Sequence, residues 1–372
     1  MTDNKRMDVL VVNAGSSSLK LRVLNDNDEV AGSADLPPPS GVADTAGIEA
    51  AISSFGSSLG GVGHRIVHGG TLFSGPVTID DQVEQQLRSL TDLAPLHQPK
   101  SLAGLDAVRA VLPDVPAVAC FDTAFHATIT PAAAAYALPA SWRDRWTLRR
   151  YGFHGLSHAY ASRRAAQLLD APPAAGLRVV TCHLGAGASL AAVRDGRSVD
   201  TTMGFTPLEG LVMATRSGNV DPGLLLWLQS HAGMSAEVLT DALEKQSGLA
   251  GLADTPDMRE ILSRASAGDD AACLARDVYL HRLRGSVAAM AAAMDGLDAV
   301  VFTGGVGENS AEIRARTMDG LGFLGIHADL DRNQEESGDR EIGAPAAPVR
   351  ALVISAREDI EIARQVRATM RT

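Results

Sequence analysis

Lysine is scarce in this chain of 372 residues. Only four of its 33 cationic side chains are Lys (Lys5, Lys20, Lys100 and Lys245), and the other 29 are Arg. A lysine inside a motif is therefore not routine surface filler. The net charge of −11 argues against a general nucleic-acid binder and against docking on an anionic membrane. It leaves an anionic substrate open, because a local Arg cluster can override the net field. Cysteine is rare too. Cys120, Cys182 and Cys273 are odd in number and form no Cys-x-x-Cys pair, as expected of a reduced, cytoplasmic protein. No apolar run approaches the roughly 20 residues that span a bilayer. The longest, 287–294, is Ala-rich, is bounded by Arg284 and Asp295, and reads as a packed helix. No signal-peptide apolar core precedes Gly15. Histidines His64, His68, His97, His126 and His158 form no His-Glu-x-x-His or Cys-His cluster, so no zinc site is expected. The Gly-x-x-x-x-Gly-Lys-Ser/Thr pattern is also missing, which excludes a P-loop.

What is there begins with a hairpin. Val9 to Val12 are four consecutive apolar residues, read as a short buried strand. Gly15, Ser16, Ser17 and Ser18 follow as a tight turn, and Leu19, Leu21 and Val23 resume a period of two. Close backbone approach, hydroxyls, amides and the cation Lys20 together suit a polyphosphate. Such a turn is equally at home as a solvated loop, since its residues have their own reasons to be there.

The length suits roughly two domains, each with its own core. Further on, 48–59, 81–90 and 101–111 read as helices, 149–158 leads into a helix reaching Leu169, 115–120 reads as a strand, and 63–70 as a short strand running into a glycine turn. Phe121 to His126 then stand at a strand end, where α/β enzymes place their chemistry. After a junction at 171–176 the first pattern returns. A shift of 170 residues lays Asn13 on His183, Gly15 on Gly185, Val23 on Val193 and Asn25 on Asp195. A repeat at this scale suggests two similar folds facing a cleft, each giving one phosphate-binding hairpin. Chance likeness between two Gly-rich hairpins is the plainer alternative. Helices are expected at 223–230, 236–245 and 269–294. A buried strand at 299–303 runs into a glycine turn at Gly304–Asn309 with a helix behind it, and a last strand (349–354) and helix (360–370) close the chain.

Five motifs, in order from end to end, carry a resemblance. Val12-Asn13-Ala-Gly-Ser-Ser-Ser-Leu-Lys20, Gly63-His-Arg65-Ile-Val-His-Gly-Gly70, Phe121-Asp122-Thr-Ala-Phe-His126, Tyr151-Gly-Phe-His154-Gly155 and Phe302-Thr-Gly-Gly-Val-Gly-Glu-Asn309 resemble acetate kinase. The resemblance implies an α/β fold of two duplicated actin-like (ribonuclease H-like) domains flanking a central cleft. The first would span 1–148, completed by 356–372, and the second, nucleotide-binding domain 149–355. It implies ATP-dependent phosphorylation of acetate to acetyl phosphate, with ATP/ADP as co-substrate, Mg2+ (Mn2+ as the alternative) as cofactor, and a homodimer. Carried over by motif, Asn13 and Glu358 would hold the metal. Ser16, Ser18 and Lys20 would line the phosphates, and Arg65 would bind the acyl carboxylate. Asp122 would be the essential acid, with His154 and Arg216 stabilising the transferring phosphoryl group. His183, Leu184, Gly185, Ala186 and Gly187, then Asp257, Met258 and Arg259, then Gly305, Val306, Gly307, Glu308 and Asn309 would bind the nucleotide. Val67, Leu96, Phe153 and Pro207 would wall a pocket for the acyl methyl.

These roles suit phosphoryl transfer, which needs alignment and positive charge more than covalent help. A carboxylate nucleophile is ionised at neutral pH, so Asp122 is read as orienting rather than deprotonating. The sequence departs from the family at Ala186 and Ala188, where Asn and Ser are usual, and at Gln98-Pro99-Lys100, where Asn-Pro-Pro is usual. The first change prompts a reading with another donor, such as pyrophosphate. The second puts a cation near the acyl pocket. A propionate or butyrate kinase, and a non-catalytic nucleotide-binding regulator, stand as further alternatives. A closing motion between the domains is expected, to exclude water.

Overall fold

Val9 to Val12 lie inside β1 (Asp8–Ala14) and are buried on both faces of the strand. Val9 and Val11 pack with Leu24, Ile362 and Val366. Leu10 and Val12 pack with Leu21, Val62 and Val108 on the other side. An unbroken apolar run is what a strand covered twice requires. The computed structural model describes residues 7–15, 18–38, 45–56, 58–95, 97–172, 174–336 and 338–371. The chain forms two compact units. The first comprises Met1–Ala127, Phe153–Tyr160 and Arg357–Thr372, and the second Thr128–Gly152 and Ala161–Ala356. The sequence reading divides the chain at 148/149; the compact units divide it at 127/128 and return 153–160 to the first.

In the first unit, β1 is joined by β2 (Leu19–Leu24), β3 (Val30–Leu36), β4 (Leu59–Ile66), β5 (Val77–Thr78) and β6 (Ala117–Phe121). Their order is β3-β2-β1-β4-β6-β5. The pairs β1–β4 and β4–β6 are parallel and the rest antiparallel. In the second unit, β7 (Arg178–Leu184), β8 (Ala188–Arg194), β9 (Arg197–Thr201), β10 (Ala299–Thr303), β11 (Arg340–Glu341) and β12 (Arg350–Val353) run in the order β11-β12-β10-β7-β8-β9. Here β7–β10 and β10–β12 are the parallel pairs. The two sheets have the same connectivity and the same directions, so the inferred duplication is real.

The uniform shift of 170 is corrected at the turn. Asn13 and His183 do occupy matching places near the ends of β1 and β7. The first loop, between the pair Ala14 and Leu19, has four residues, whereas the second, between Leu184 and Ala188, has three. Beyond the turn the offset drops to 169, so Leu24, not Val23, matches Val193. A second correction concerns the expected helix 48–59. It runs only over Ala46–Ser54, because Leu59 is taken into β4 beside Asp8. Periodicity cannot see that pairing.

Two helices cover the first sheet and fix its strand ends. The C-terminal helix Glu358–Thr369 lies across β1 and β4. Gly63 lets it approach: a Cβ there would sit 2.4 Å from the Ile362 side chain. The helix Gln98–Val111 covers the opposite face. In the second unit the 23-residue helix Asp270–Ala292 lies against β7 and β8. Among the described residues no helix is long and apolar enough to cross a membrane.

Candidate active site

Three neighbouring parallel strands of the first unit end together, and each delivers one polar side chain. Asn13 comes from β1, Arg65 from β4, and Asp122 directly follows β6. Its N–H extends the ladder by donating to the Ile66 carbonyl at 3.0 Å. Arg65 Nη2 donates to Asp122 Oδ2 at 2.6 Å, and Nε lies 3.1 Å from both carboxylate oxygens. Arg65 Nη1 donates to Asn13 Oδ1 at 3.1 Å, and Asn13 Nδ2 donates to Glu358 Oε2 at 3.4 Å. Glu358, the first residue of the C-terminal helix, also lies 3.9 Å from Arg65 Nε. Burial works against the Arg65 cation. The Asp122 and Glu358 charges and the Asp122 hydrogen bonds outweigh it, so its pKa is raised. Asp122 is 1% exposed, so this ion pair is far less screened than a surface one.

The turn before the helix Gly155–Leu168 reaches the same place. The Gly155 N–H donates to the Asp122 carbonyl at 2.8 Å. A Cβ at 155 would stand 2.2 Å from that oxygen, which only glycine avoids. His154 beside it adopts φ 56°, a left-handed conformation costly for a residue with a Cβ. Phe153 is buried, edge-on to His68 with ring centroids 5.5 Å apart, and its carbonyl lies 3.0 Å from His126 Nε2. Val67 follows β4 and is buried as well. Lys20 pairs with Asn13 across the hairpin and is exposed, and the Ser18 carbonyl closes the turn onto the Gly15 N–H at 2.8 Å. Ser16 and Leu96 lie outside the described residues.

In the second unit, His183 near the end of β7 pairs with Thr303 at the end of β10. The hairpin Gly185–Gly187 is closed by a Gly185 N–H to Gly187 carbonyl bond of 3.0 Å, and the Ala186 carbonyl accepts from the Ala214 N–H at 3.1 Å. Ala188 is fully buried at the start of β8, so a hydroxyl there would enter the interior; Ala186 is exposed. Gly305 to Asn309 form the short helix Gly304–Asn309. Glu308 is turned onto the backbone, accepting from the Gly304 and Ala356 N–H groups at 2.9 and 3.0 Å. Asn309 donates to the Gly305 carbonyl at 2.8 Å. Asp257 caps the helix Met258–Ser266 and pairs with Arg259 at 2.6 Å. Hydrogen bonds from the Arg259 side chain and backbone N–H lower its pKa to about 2. Arg216 is held by Glu244 at 3.0 Å and donates to the Pro207 carbonyl at 3.4 Å.

Sequence reading missed Gln98 and Glu244. Gln98 is fully buried, accepts from the His68 N–H and donates to the His68 carbonyl, each at 3.2 Å, and so fixes the backbone next to Val67. Pro99 at the helix start was the available cue, because it moves that start back to Gln98. Glu244 reads as ordinary helix charge and carries no cue. Lys100 is exposed on the same helix as Gln98.

Comparison with known proteins decides the family. The chain matches the Acetokinase family over residues 40–364. The acetate kinase of Nostoc punctiforme is 50% identical over 308 residues, 82% of this chain and 76% of that one. The chain belongs to the acetokinase family. Among solved structures, Porphyromonas gingivalis acetate kinase superposes with a TM-score of 0.90 at 35% identity, covering 98% of this chain and 100% of that one. A propionate kinase from Francisella tularensis gives 0.90 at 34% identity, covering 97% and 99%. The two matching sheets are thus the duplicated actin-like domains of this family. As an acetokinase the chain is an enzyme, a phosphotransferase with a carboxyl acceptor, and it exchanges a phosphoryl group between ATP and acetate. ATP or ADP is its co-substrate, and a divalent metal its cofactor.

Proposed function

We propose that the first unit holds the acyl substrate and the metal and that the second holds the nucleotide. The observation that carries this reading is the Arg65–Asp122–Asn13–Glu358 network at three adjacent strand ends. Arg65 takes the acetate carboxylate, and Asp122 keeps its guanidinium fork aimed. Buried Val67 and Phe153 enclose the methyl. An acetate oxygen attacks the terminal phosphorus of ATP in line. The new O–P bond forms as the bond to the ADP oxygen breaks, and no proton has to be removed. His154 and Arg216 carry the charge that builds on the transferring group. Ser18 and Lys20 accompany the phosphates. His183 to Gly187, Asp257 to Arg259 and Gly305 to Asn309 cradle the nucleotide, with Glu308 shaping the turn.

Asn13 and Glu358 would offer one amide and one carboxylate oxygen, both hard donors; here Asn13 meets Glu358 through its Nδ2, and its Oδ1 accepts from Arg65. That set fits Mg2+, or Mn2+ as the alternative, which takes one or two protein oxygens where phosphates complete the shell. When bound, the metal neutralises phosphate charge. We also infer a homodimer. Leu224, Leu226 and Trp227 on the helix Pro222–His231, with Val220, Met234 and Val238, are all exposed, more apolar surface than a monomer usually presents in one stretch. A second copy is the occupant to which we commit; Leu226→Glu should leave a monomer by light scattering, and a wild-type monomer would overturn it. The free thiols Cys120, Cys182 and Cys273 suit a cytoplasmic setting.

The test is acyl phosphate formation with purified protein and Mg2+, comparing ATP with pyrophosphate and acetate with propionate and butyrate. Arg216→Ala runs alongside. Acetyl phosphate from ATP, lost in the variant, is expected. Product from pyrophosphate alone would overturn the donor, and a higher kcat/KM for propionate or butyrate would overturn acetate as the preferred acid. No product from any pair would favour the non-catalytic regulator.

A further inference from the structure

The ladder between β4 and β6 stops just before Val67. Ile66 pairs with Phe121, and the Asp122 N–H donates to the Ile66 carbonyl. Beyond Ile66 the backbone of Val67, His68 and Gly69 belongs to no strand or helix, yet all three residues are buried. Backbone groups buried outside regular structure need other partners. Two side chains supply them here. The Gly69 N–H donates to the Thr123 hydroxyl oxygen at 3.0 Å. The fully buried Gln98 amide accepts from the His68 N–H and donates to the His68 carbonyl, each at 3.2 Å. Gln98 Nε2 also lies 3.4 Å from the Leu87 carbonyl, which anchors it to the helix Asp81–Ser89. One amide side chain thus takes the place of a neighbouring strand. The His68 ring stands edge-on to Phe153, and its Nδ1 accepts from the Gly70 N–H at 2.8 Å. His68 therefore joins two buried residues: its backbone continues from Val67, and its ring bears on Phe153.

We propose that Gln98 is a positioning residue for acid selectivity: by bracketing His68 it holds Val67 and Phe153 at a fixed spacing, and that spacing rejects acids longer than acetate. The inference rests on the reading that Val67 and Phe153 enclose the acyl methyl. An apolar pocket rejects one extra methylene by about 10- to 200-fold, and only as far as its walls keep their places. Val67 is tied through its two neighbours. Ile66 is pinned by Asp122, and His68 by Gln98. Without the amide, the His68 N–H and carbonyl lose this partner and the Val67 stretch is held from one side. The Phe153 ring loses its fixed edge contact at the same time. A longer acid then enters at less cost, whereas acetate, which already fits, gains nothing. Gln98 acts through His68 and Val67 rather than on the substrate itself. The nucleotide, assigned to the second unit, should not register the change.

The test is the ratio of kcat/KM for acetate to kcat/KM for propionate, with ATP and Mg2+, in the whole protein. Gln98→Met keeps the length of the side chain and removes its hydrogen bonds. The ratio should fall roughly fivefold or more, with the KM for ATP unchanged. Both acids are read on one preparation, so any loss of folded enzyme cancels from the ratio. Val108→Ala is the stability control. It thins the same helix where that helix packs on Leu10 and Val12, and it should leave the ratio at the wild-type value. Val67→Ala tests the pocket itself and should lower the ratio. If Gln98→Met does not melt cooperatively, Gln98→Asn replaces it with the same expectation, because its amide falls one methylene short of His68. A wild-type ratio in the Gln98 variant, with the ratio lowered in Val67→Ala, would overturn the role of Gln98 and leave the pocket standing. An equal fall in Val108→Ala would also overturn it, as general loosening. An unchanged ratio in Val67→Ala would overturn the pocket reading, and this inference with it.

Discussion

Arg65 has five N–H groups, and its bonds to Asp122 and Asn13 occupy three of them. Among the described residues, one N–H is left on each terminal nitrogen, which can serve a substrate carboxylate. A lysine could not supply that pair. Arg65→Lys should therefore lower kcat/KM for acetate by about 10²- to 10³-fold, with a raised KM, measured by steady-state kinetics. Asp122→Asn should release the fork and lower kcat/KM as well, leaving the KM for ATP near its wild-type value. The motifs made both residues legible in the sequence. Their partnership was not, because they stand 57 positions apart and meet only where β4 and β6 run parallel. Gln98 was hidden for the same reason: its partner His68 is 30 positions away.

The strands and long helices followed from periodicity, since their apolar patterns are local. Errors fell where another element decided the outcome. Leu59 left a helix for β4, and the short helix Gly304–Asn309 began at the glycines read as a turn. The one-residue difference between the two hairpins also escaped, because loop closure is set by ladder register rather than by composition. Two close approaches give tests at this scale. Gly155→Ala should push the turn off the Asp122 carbonyl. It should cost about 1–3 kcal/mol of stability and most of the activity, as urea unfolding and kinetics would show. Gly63→Ala should displace the C-terminal helix by a similar energy. Because Glu358 opens that helix, the metal concentration for half-maximal rate should rise with it. An unchanged metal requirement would remove Glu358 from the metal site.

Two buried imidazoles tie the stability of the first unit to pH. Burial lowers His64 from the ordinary 6.5 to about 3 and His68 to about 4. Both are neutral when folded, whereas the unfolded chain takes up their protons as pH falls below about 6.5. Their contribution is complete above that value and is lost progressively as pH falls toward 4 and then 3. The urea midpoint should therefore drop between about pH 7 and about pH 5, and His64→Phe should flatten the slope. The make-up of the first unit also bears on how the protein is born. It draws on the opening stretch, a short passage at Phe153–Tyr160 and the last residues from Arg357. Ribosomes deliver a chain from its N-terminus, and domains usually fold as they emerge. Here the sheet of β1 to β6 waits for the helix Glu358–Thr369 to emerge. Until then Gly61, Gly63 and the Val9–Val11 face of β1 lack their cover, and Glu358 is missing. A nascent chain stalled before Arg357 should be held in a chaperone-binding, protease-sensitive state, and catalytic competence should arrive only once the helix Glu358–Thr369 has emerged.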